Sequence, residues 1–191
     1  MVAGEIHGAL ERGRGRVTRV TSLACGPARE LFDVYASLPD ETVLASTLVD
    51  VDLHALAHVA DLRDRAGLRR QMTLVADNLV HLASGRTKAS FAEQDLVYSI
   101  GLIDYFDDEF VVNLVDFIHG TLRSGGRLLL GNFHPRNGTR AVMDHVLDWK
   151  LVHRTEQDMH RLLRASVFGR DCTRILYEPQ RINLFAECVK P

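Results

Sequence analysis

The chain is poor in the residues that build crosslinked, metal-bound or membrane-spanning proteins. Its three cysteines, Cys25, Cys172 and Cys188, stand far apart, and no C-x-x-C pair occurs. That spacing argues against a disulfide framework or a structural zinc site, and no set of His, Asp and Glu has ligand spacing, so no metal is expected. No apolar run approaches the ~20 residues of a membrane span. Met1 to Arg16 lacks the apolar core of a signal peptide. A cytoplasmic enzyme is the expectation. The formal charge of −2 is too small to gather nucleic acid or an anionic membrane. Arg12, Arg14 and Arg16 make the one dense basic patch, which reads as a solvated arm. Internal repeats, low-complexity tracts and linkers are also missing. What remains is an ordinary globular composition, 46% hydrophobic over 191 residues, enough for one domain. The expected organisation is a short arm over 1–16 and a single domain over 17–191.

The most informative stretch runs from Val17 to Glu30. Val17, Val20 and Leu23 suit a buried strand, Ala24, Cys25, Gly26 and Pro27 a tight turn, and Ala28, Leu31, Phe32 and Tyr35 a helix by their spacing. Strand, small-residue turn and helix open a nucleotide-binding βα unit, because such a turn lets backbone approach a ligand. The full G-x-G-x-x-G is absent, since Ala24 and Ala28 flank a single glycine. Cys25 reads as a small, reduced residue in that turn.

After a turn at Leu38-Pro-Asp-Glu41, a second strand spans Thr42 to Val49 and ends at Asp50-Val-Asp52. Asp50 lies 24 residues beyond Gly26, where an acid can accept from ribose hydroxyls. Asp52 suits the N-cap of the helix that follows, which ends near Gly67. Gln71–Ala76 is the third strand, closed by Asp77 and Asn78, with a helical turn over 79–82 and a loop over 84–88. Asp95–Ser99 is the fourth strand, followed by the apolar loop Ile100–Phe106 with Gly101. Asp107 to Glu109 open a helix that Ser124-Gly-Gly126 ends. Arg127–Asn132 is the fifth strand and runs into Gly131-Asn-Phe-His-Pro135. A helix is expected over Thr139–Val152, with Val142, Val146 and Trp149 on one face. Thr155 and Asp158 approximate a capping box. Arg170–Tyr177 and Arg181–Cys188 read as a closing antiparallel hairpin. Strands alternating with helices imply an α/β, doubly wound and mostly parallel sheet.

Leu23-Ala-Cys-Gly-Pro-Ala-Arg-Glu30, Asp50, and Asp77 with Asn78 together resemble the S-adenosylmethionine-dependent methyltransferases with a seven-stranded Rossmann-like sheet. Asp95-Leu-Val-Tyr-Ser-Ile-Gly-Leu-Ile-Asp-Tyr105, Gly131–Pro135 and Leu147–Glu156 resemble one bacterial branch, that of extracellular-factor and 3-hydroxypalmitate methyl ester biosynthesis. The resemblance implies S-adenosylmethionine as cofactor, S-adenosylhomocysteine as product and a small-molecule acceptor. It implies cofactor contacts from Ala24, Cys25, Gly26, Glu30, Asp50, Val51, Asp77, Asn78, Ser99, Ile100 and Gly101. Family members usually have more chain before the first strand, including a helix over the cofactor. Here 16 residues precede Val17, and three expectations stand side by side: an open cofactor pocket, one completed by a second subunit, or one missing its lid through truncation.

Methyl transfer from a sulfonium is an in-line displacement that the protein aligns and desolvates. A carboxylate acceptor needs no base; a hydroxyl does, and His134 is the base candidate, with Asn132 and Tyr105 as catalytic partners. Leu102, Tyr105, Phe106, His134 and Arg140 are the candidate acceptor contacts. Two bland readings stay open: His134 as a structural histidine, and Leu102, Tyr105 and Phe106 as core. Two other functions also stay open, a methyltransferase-fold binding module without turnover and a nicotinamide-dependent oxidoreductase. The second lacks both G-x-G-x-x-G and a Tyr-x-x-x-Lys pair.

Overall fold

The computed structural model describes residues 1–39, 43–86, 91 and 93–191. Asp40, Glu41, Thr42, Thr87 and Lys88, assigned above to turn, strand start and loop, lie outside the described residues. One seven-stranded sheet has the order β3-β2-β1-β4-β5-β7-β6. Its strands are β1 (Thr18–Leu23), β2 (Leu44–Asp50), β3 (Met72–Ala76), β4 (Gln94–Ser99), β5 (Leu122–Phe133), β6 (Arg174–Tyr177) and β7 (Asn183–Val189). β1 to β5 pair in parallel. β7 runs antiparallel to both β5 and β6, as the terminal hairpin reading requires.

Helices α1 (Val2–Arg12), α2 (Arg29–Ser37) and α3 (Leu53–Arg65) cover one face of the sheet. Helices α4 (Leu79–Ala83), α5 (Asp108–Thr121) and α7 (Glu156–Ala165) cover the other. A short α6 (Arg140–His145) lies between β5 and α7. The caps follow the sequence: Asp52 accepts from the His54 and Ala55 N–H groups, and Thr155 with Asp158 forms a full capping box.

Three expectations need correction. Arg12, Arg14 and Arg16 are exposed, as a solvated patch requires, but residues 1–16 are not an arm. Val2, Ile6 and Ala9 recur on one face of α1 and are buried in the α2–α3 side of the core. Glu5 on α1 pairs with the buried Arg127 of β5 at 2.9 Å, and Arg127 also pairs with Glu187 of β7 at 2.6 Å. Arg16 is likewise engaged, bonding both carboxylate oxygens of the buried Asp95. Second, α5 ends at Thr121 and β5 begins at once, with a register slip opposite Gln94 and Leu96. Gly126 is required there, because a Cβ would lie 2.6 Å from the Gln94 carbonyl. Third, the helix expected over 139–152 stops at His145. Asp148 turns the chain through φ +46, a conformation that Asp tolerates better than most residues, and Trp149 is half-exposed. The apolar spacing of Val142, Val146 and Trp149 therefore marks surface and not core.

Candidate functional site

The carboxyl ends of β1, β2, β3 and β4 bring most of the expected cofactor residues to one edge. The turn after β1 is strained. Ala24, Gly26 and Ala28 all have positive φ, at 52°, 50° and 49°. Only glycine takes this region without cost; an L-residue pays about 1–2 kcal/mol. Such strain collects where a backbone path is needed for a ligand. Ala24→Gly should therefore raise unfolding stability by about 0.5–1 kcal/mol, net of glycine's greater entropy loss. Ala28→Gly should come out near zero, because the methyl it removes is buried and worth about 0.8 kcal/mol. Urea midpoints of the two variants check the contrast.

Asp50 holds this turn closed. Its Oδ2 accepts from the Gly26 N–H at 2.8 Å and its Oδ1 from the Asp52 N–H at 2.9 Å. A carboxylate has about four acceptor positions, so roughly two remain. Cys25 is buried, and burial first, then the nearby Asp50 charge, pushes its thiol up to about 12. It stays protonated, which agrees with the reading of a small, reduced residue. The Cys25 N–H donates to Val49 O and the Ala28 N–H to Cys25 O, while Pro27 has no N–H. The glycine turn therefore offers no row of free donors for a pyrophosphate.

The other expected cofactor residues divide into anchors and exposed walls. The Tyr98 hydroxyl donates to Glu30 at 2.7 Å, which ties α2 to β4. The buried Ser99 donates to the Leu23 carbonyl at 2.9 Å. Asn78 caps α4, and Asp77 accepts from the Asn78 N–H at 2.7 Å. Val51 and Ile100 instead expose their side chains directly after β2 and β4, and Gly101 turns the chain with φ +72.

Beyond β4 and β5, the expected catalytic residues are mostly load carriers. His134 is buried, and both ring nitrogens are engaged. Nδ1 accepts from the Arg136 N–H at 3.0 Å, which leaves the proton on Nε2, 3.3 Å from Glu156. Tyr177 of β6 donates to the same glutamate. His134 therefore braces β5 against α7 and the terminal hairpin and offers no free nitrogen as a base. Asn132 is buried too; it donates to the Phe133 and Val152 carbonyls and accepts from Arg154. Arg140 is exposed and paired with Asp144. Leu102 packs on the core, and Phe106 stacks on Phe110 at 3.9 Å. Tyr105 keeps an exposed face, while its hydroxyl accepts from the Trp149 indole at 2.9 Å.

The Tyr177 bond, more than any other contact, holds the Glu156 carboxyl down to about 2 from its usual 4.5. A carboxyl depressed on folding adds stability that is fully present above about 4.5 and is lost as pH falls towards 2. Tyr177→Phe should flatten the fall in stability across that window, as acid titration followed by circular dichroism would record.

Sequence reasoning missed Arg154, Asp104 and His153. Arg154, fully buried, commits its five N–H groups: Nη1 to the Ile103 and Asn132 oxygens, Nη2 to the Phe106 carbonyl and Asp108, Nε to Asp108. It fastens the 3-10 turn Ile103–Tyr105 between β5 and α5. Asp104, in that turn, is buried; its Oδ1 accepts from the Phe133 N–H at 2.6 Å, and its Oδ2 has no partner. Burial foremost raises the Asp104 carboxyl above its usual value. His153 Nδ1 lies 3.1 Å from the Leu151 carbonyl, and its buried Nε2 also lacks a partner. The stretches Asp95–Tyr105 and Leu147–Glu156 that carry the branch resemblance contain these residues, but nothing in the chain order places 104 beside 153. A separate groove of about 700 Å³ lies between α2 and α3, lined by Phe32, Tyr35, His58 and Leu62; it includes neither Asp50 nor Asp77.

No family model matches the sequence, and no curated protein sequence matches it. Solved structures match the fold. The chain aligns over 100% of its length with a possible exported protein from Bordetella parapertussis, at TM-score 0.75 and 22% identity, covering 67% of that chain. It aligns over 99% with the mitomycin 7-O-methyltransferase MmcR, at TM-score 0.74 and 18% identity, covering 53% of that chain. Over 100% it matches magnesium protoporphyrin IX methyltransferase (ChlM) from Synechocystis PCC 6803 with bound S-adenosylhomocysteine, at TM-score 0.73 and 13% identity, covering 82% of that chain. The chain thus spans about half the length of MmcR. The architecture is the Rossmann-like fold of S-adenosylmethionine-dependent methyltransferases. Among the described residues, no helix is long and apolar enough to cross a membrane.

Proposed function

We propose that the chain transfers a methyl group from S-adenosylmethionine to a small-molecule acceptor. The observation that carries this reading is Asp50: its carboxylate closes the turn after β1 and keeps about two acceptor positions at the sheet edge. Those positions suit the two hydroxyls of a ribose. Val51 and Ile100 supply exposed aliphatic walls for a purine, and Asp77 stands at the adjoining strand end. The cofactor, when bound, supplies the electrophilic methyl group; the protein's part is to orient the acceptor and exclude water. An acceptor drawn from lipid-like or secondary metabolites, the extracellular-factor branch and a second subunit over the cofactor site belong to the same proposal.

The nicotinamide reading is disfavoured, because the Cys25 and Gly26 N–H groups are spent on β2, the Ala28 N–H on Cys25, and Pro27 has none, whereas a pyrophosphate needs them. Calorimetric titration with S-adenosylhomocysteine tests the proposal. Micromolar binding by the folded chain is the expected result; no binding would leave the fold without its cofactor. Sedimentation with and without S-adenosylhomocysteine tests the second subunit.

A further inference from the structure

We infer that Asp104 and His153, walled by Tyr105, Trp149 and Val152, form the acceptor site, and that it takes a neutral apolar molecule carrying a hydroxyl and not a carboxylate. This inference rests on the methyl-transfer reading and names the substrate class for it.

The cluster is assembled by contacts from three segments. The Phe133 N–H binds Asp104 Oδ1, and the Val152 N–H binds the Asp104 carbonyl at 2.7 Å. The Phe133 ring packs against both Trp149 and His153, at 6.3 and 6.0 Å between centroids. Trp149 in turn bonds Tyr105. Three large apolar side chains are exposed around this base, Tyr105 at 54%, Trp149 at 40% and Val152 at 42%, beside the exposed ion pair of Asp148 and Lys150. Large apolar side chains exposed side by side mark a binding surface, whereas scattered ones do not. Their aromatic content suits a ring or a short alkyl chain.

Polarity follows from the two unpartnered atoms. His153 donates its Nδ1 proton to the Leu151 carbonyl, so Nε2 presents a lone pair. Asp104 Oδ2 presents another. Two buried acceptors without donors are costly alone, and each is satisfied only by a group that brings a proton. A hydroxyl brings one and satisfies one of the two; a carboxylate brings only further lone pairs. The buried cation beside Asp104, Arg154, has every N–H committed, and the exposed Lys150 next to Trp149 is paired with Asp148 at 3.0 Å.

The step then balances simply. His153 Nε2 takes the hydroxyl proton as the acceptor oxygen forms a bond to the sulfonium methyl carbon. The carbon–sulfur bond breaks, and its electron pair stays on sulfur, leaving a neutral thioether. The imidazolium afterwards returns its proton to solvent.

Trp149 is the only tryptophan of the chain, so its emission reports occupancy of this surface. The test compares 4-butylphenol with 4-butylbenzoate at pH 7.5, with S-adenosylhomocysteine titrated calorimetrically into the same proteins. The phenol should shift Trp149 emission saturably and bind at least about 10-fold tighter than the benzoate. His153→Gln and Asp104→Asn should each weaken the phenol about 10-fold and leave S-adenosylhomocysteine binding unchanged. Asp104→Asn keeps an acceptor for the Phe133 N–H, and His153→Gln gives an independent variant should the first unfold. Benzoate binding as tight as phenol, no phenol binding, or indifference to His153→Gln would overturn the inference. Phenol binding with these dependencies but no S-adenosylhomocysteine binding would instead sink the methyl-transfer reading alone.

Discussion

An Asp50→Ala chain should bind S-adenosylhomocysteine at least about 100-fold more weakly than the unaltered protein. Two charge-assisted hydrogen bonds to a ribose are worth about 1.5–3 kcal/mol each, and 1.4 kcal/mol is a factor of 10. The variant also releases the Gly26 and Asp52 N–H groups, so the strained turn after β1 loses its fastening. Asp50→Asn separates the two effects. It retains one acceptor oxygen and should keep the turn better than alanine while still losing charge-assisted binding. Calorimetry measures affinity, and urea unfolding of each variant shows whether the loss exceeds any loss of stability. Undiminished affinity in Asp50→Ala would remove Asp50 from the cofactor site.

Replacing Arg154 by methionine should cost about 3–5 kcal/mol of stability. Arg154 is almost wholly buried, and its five bonds join the loop after β4 to β5 and to the start of α5. Methionine fills part of the volume but strands the Ile103 and Phe106 carbonyls and the Asn132 oxygen without a donor. Against a total of about 5–15 kcal/mol, this loss is large. With a slope near 2 kcal/mol per molar urea, the midpoint should fall by about 2 M. Lysine should rescue little, because its three donors radiate from one point and cannot reach five directions of a planar fork. A midpoint unchanged by Arg154→Met would mean that these bonds contribute nothing net.

Much of the framework was legible in the chain order. Each β1-to-β5 strand was an apolar run bounded by turn residues, and Asp52, Thr155 and Asp158 announced their caps. Asp50 could be placed because strand length and the βα repeat bring it beside the glycine turn. The arm reading of residues 1–16 failed on composition: with Ile6 and Leu10 as its only large apolar residues the segment suggested one or two weak helical turns, whereas Val2, Ile6 and Ala9 are buried on one face of an 11-residue helix. The helix expected over 139–152 failed for the opposite reason, because its apolar spacing is real but lies on the surface.

Local patterns therefore determined the α/β architecture, the strand–turn–helix opening and the acid at the end of β2, since each depends on residues near one another in sequence. The terminal antiparallel pairing was legible too, from a short turn between two apolar runs. Tertiary structure alone decided the chemistry beyond β4. It closed His134 between Arg136 and Glu156, spent Asn132 on Arg154, and left Asp104 and His153 as unpartnered acceptors beside exposed aromatic rings. Whether a polar atom is free or satisfied depends on groups that arrive from 20 to 51 residues away, and no spacing rule along the chain encodes that meeting.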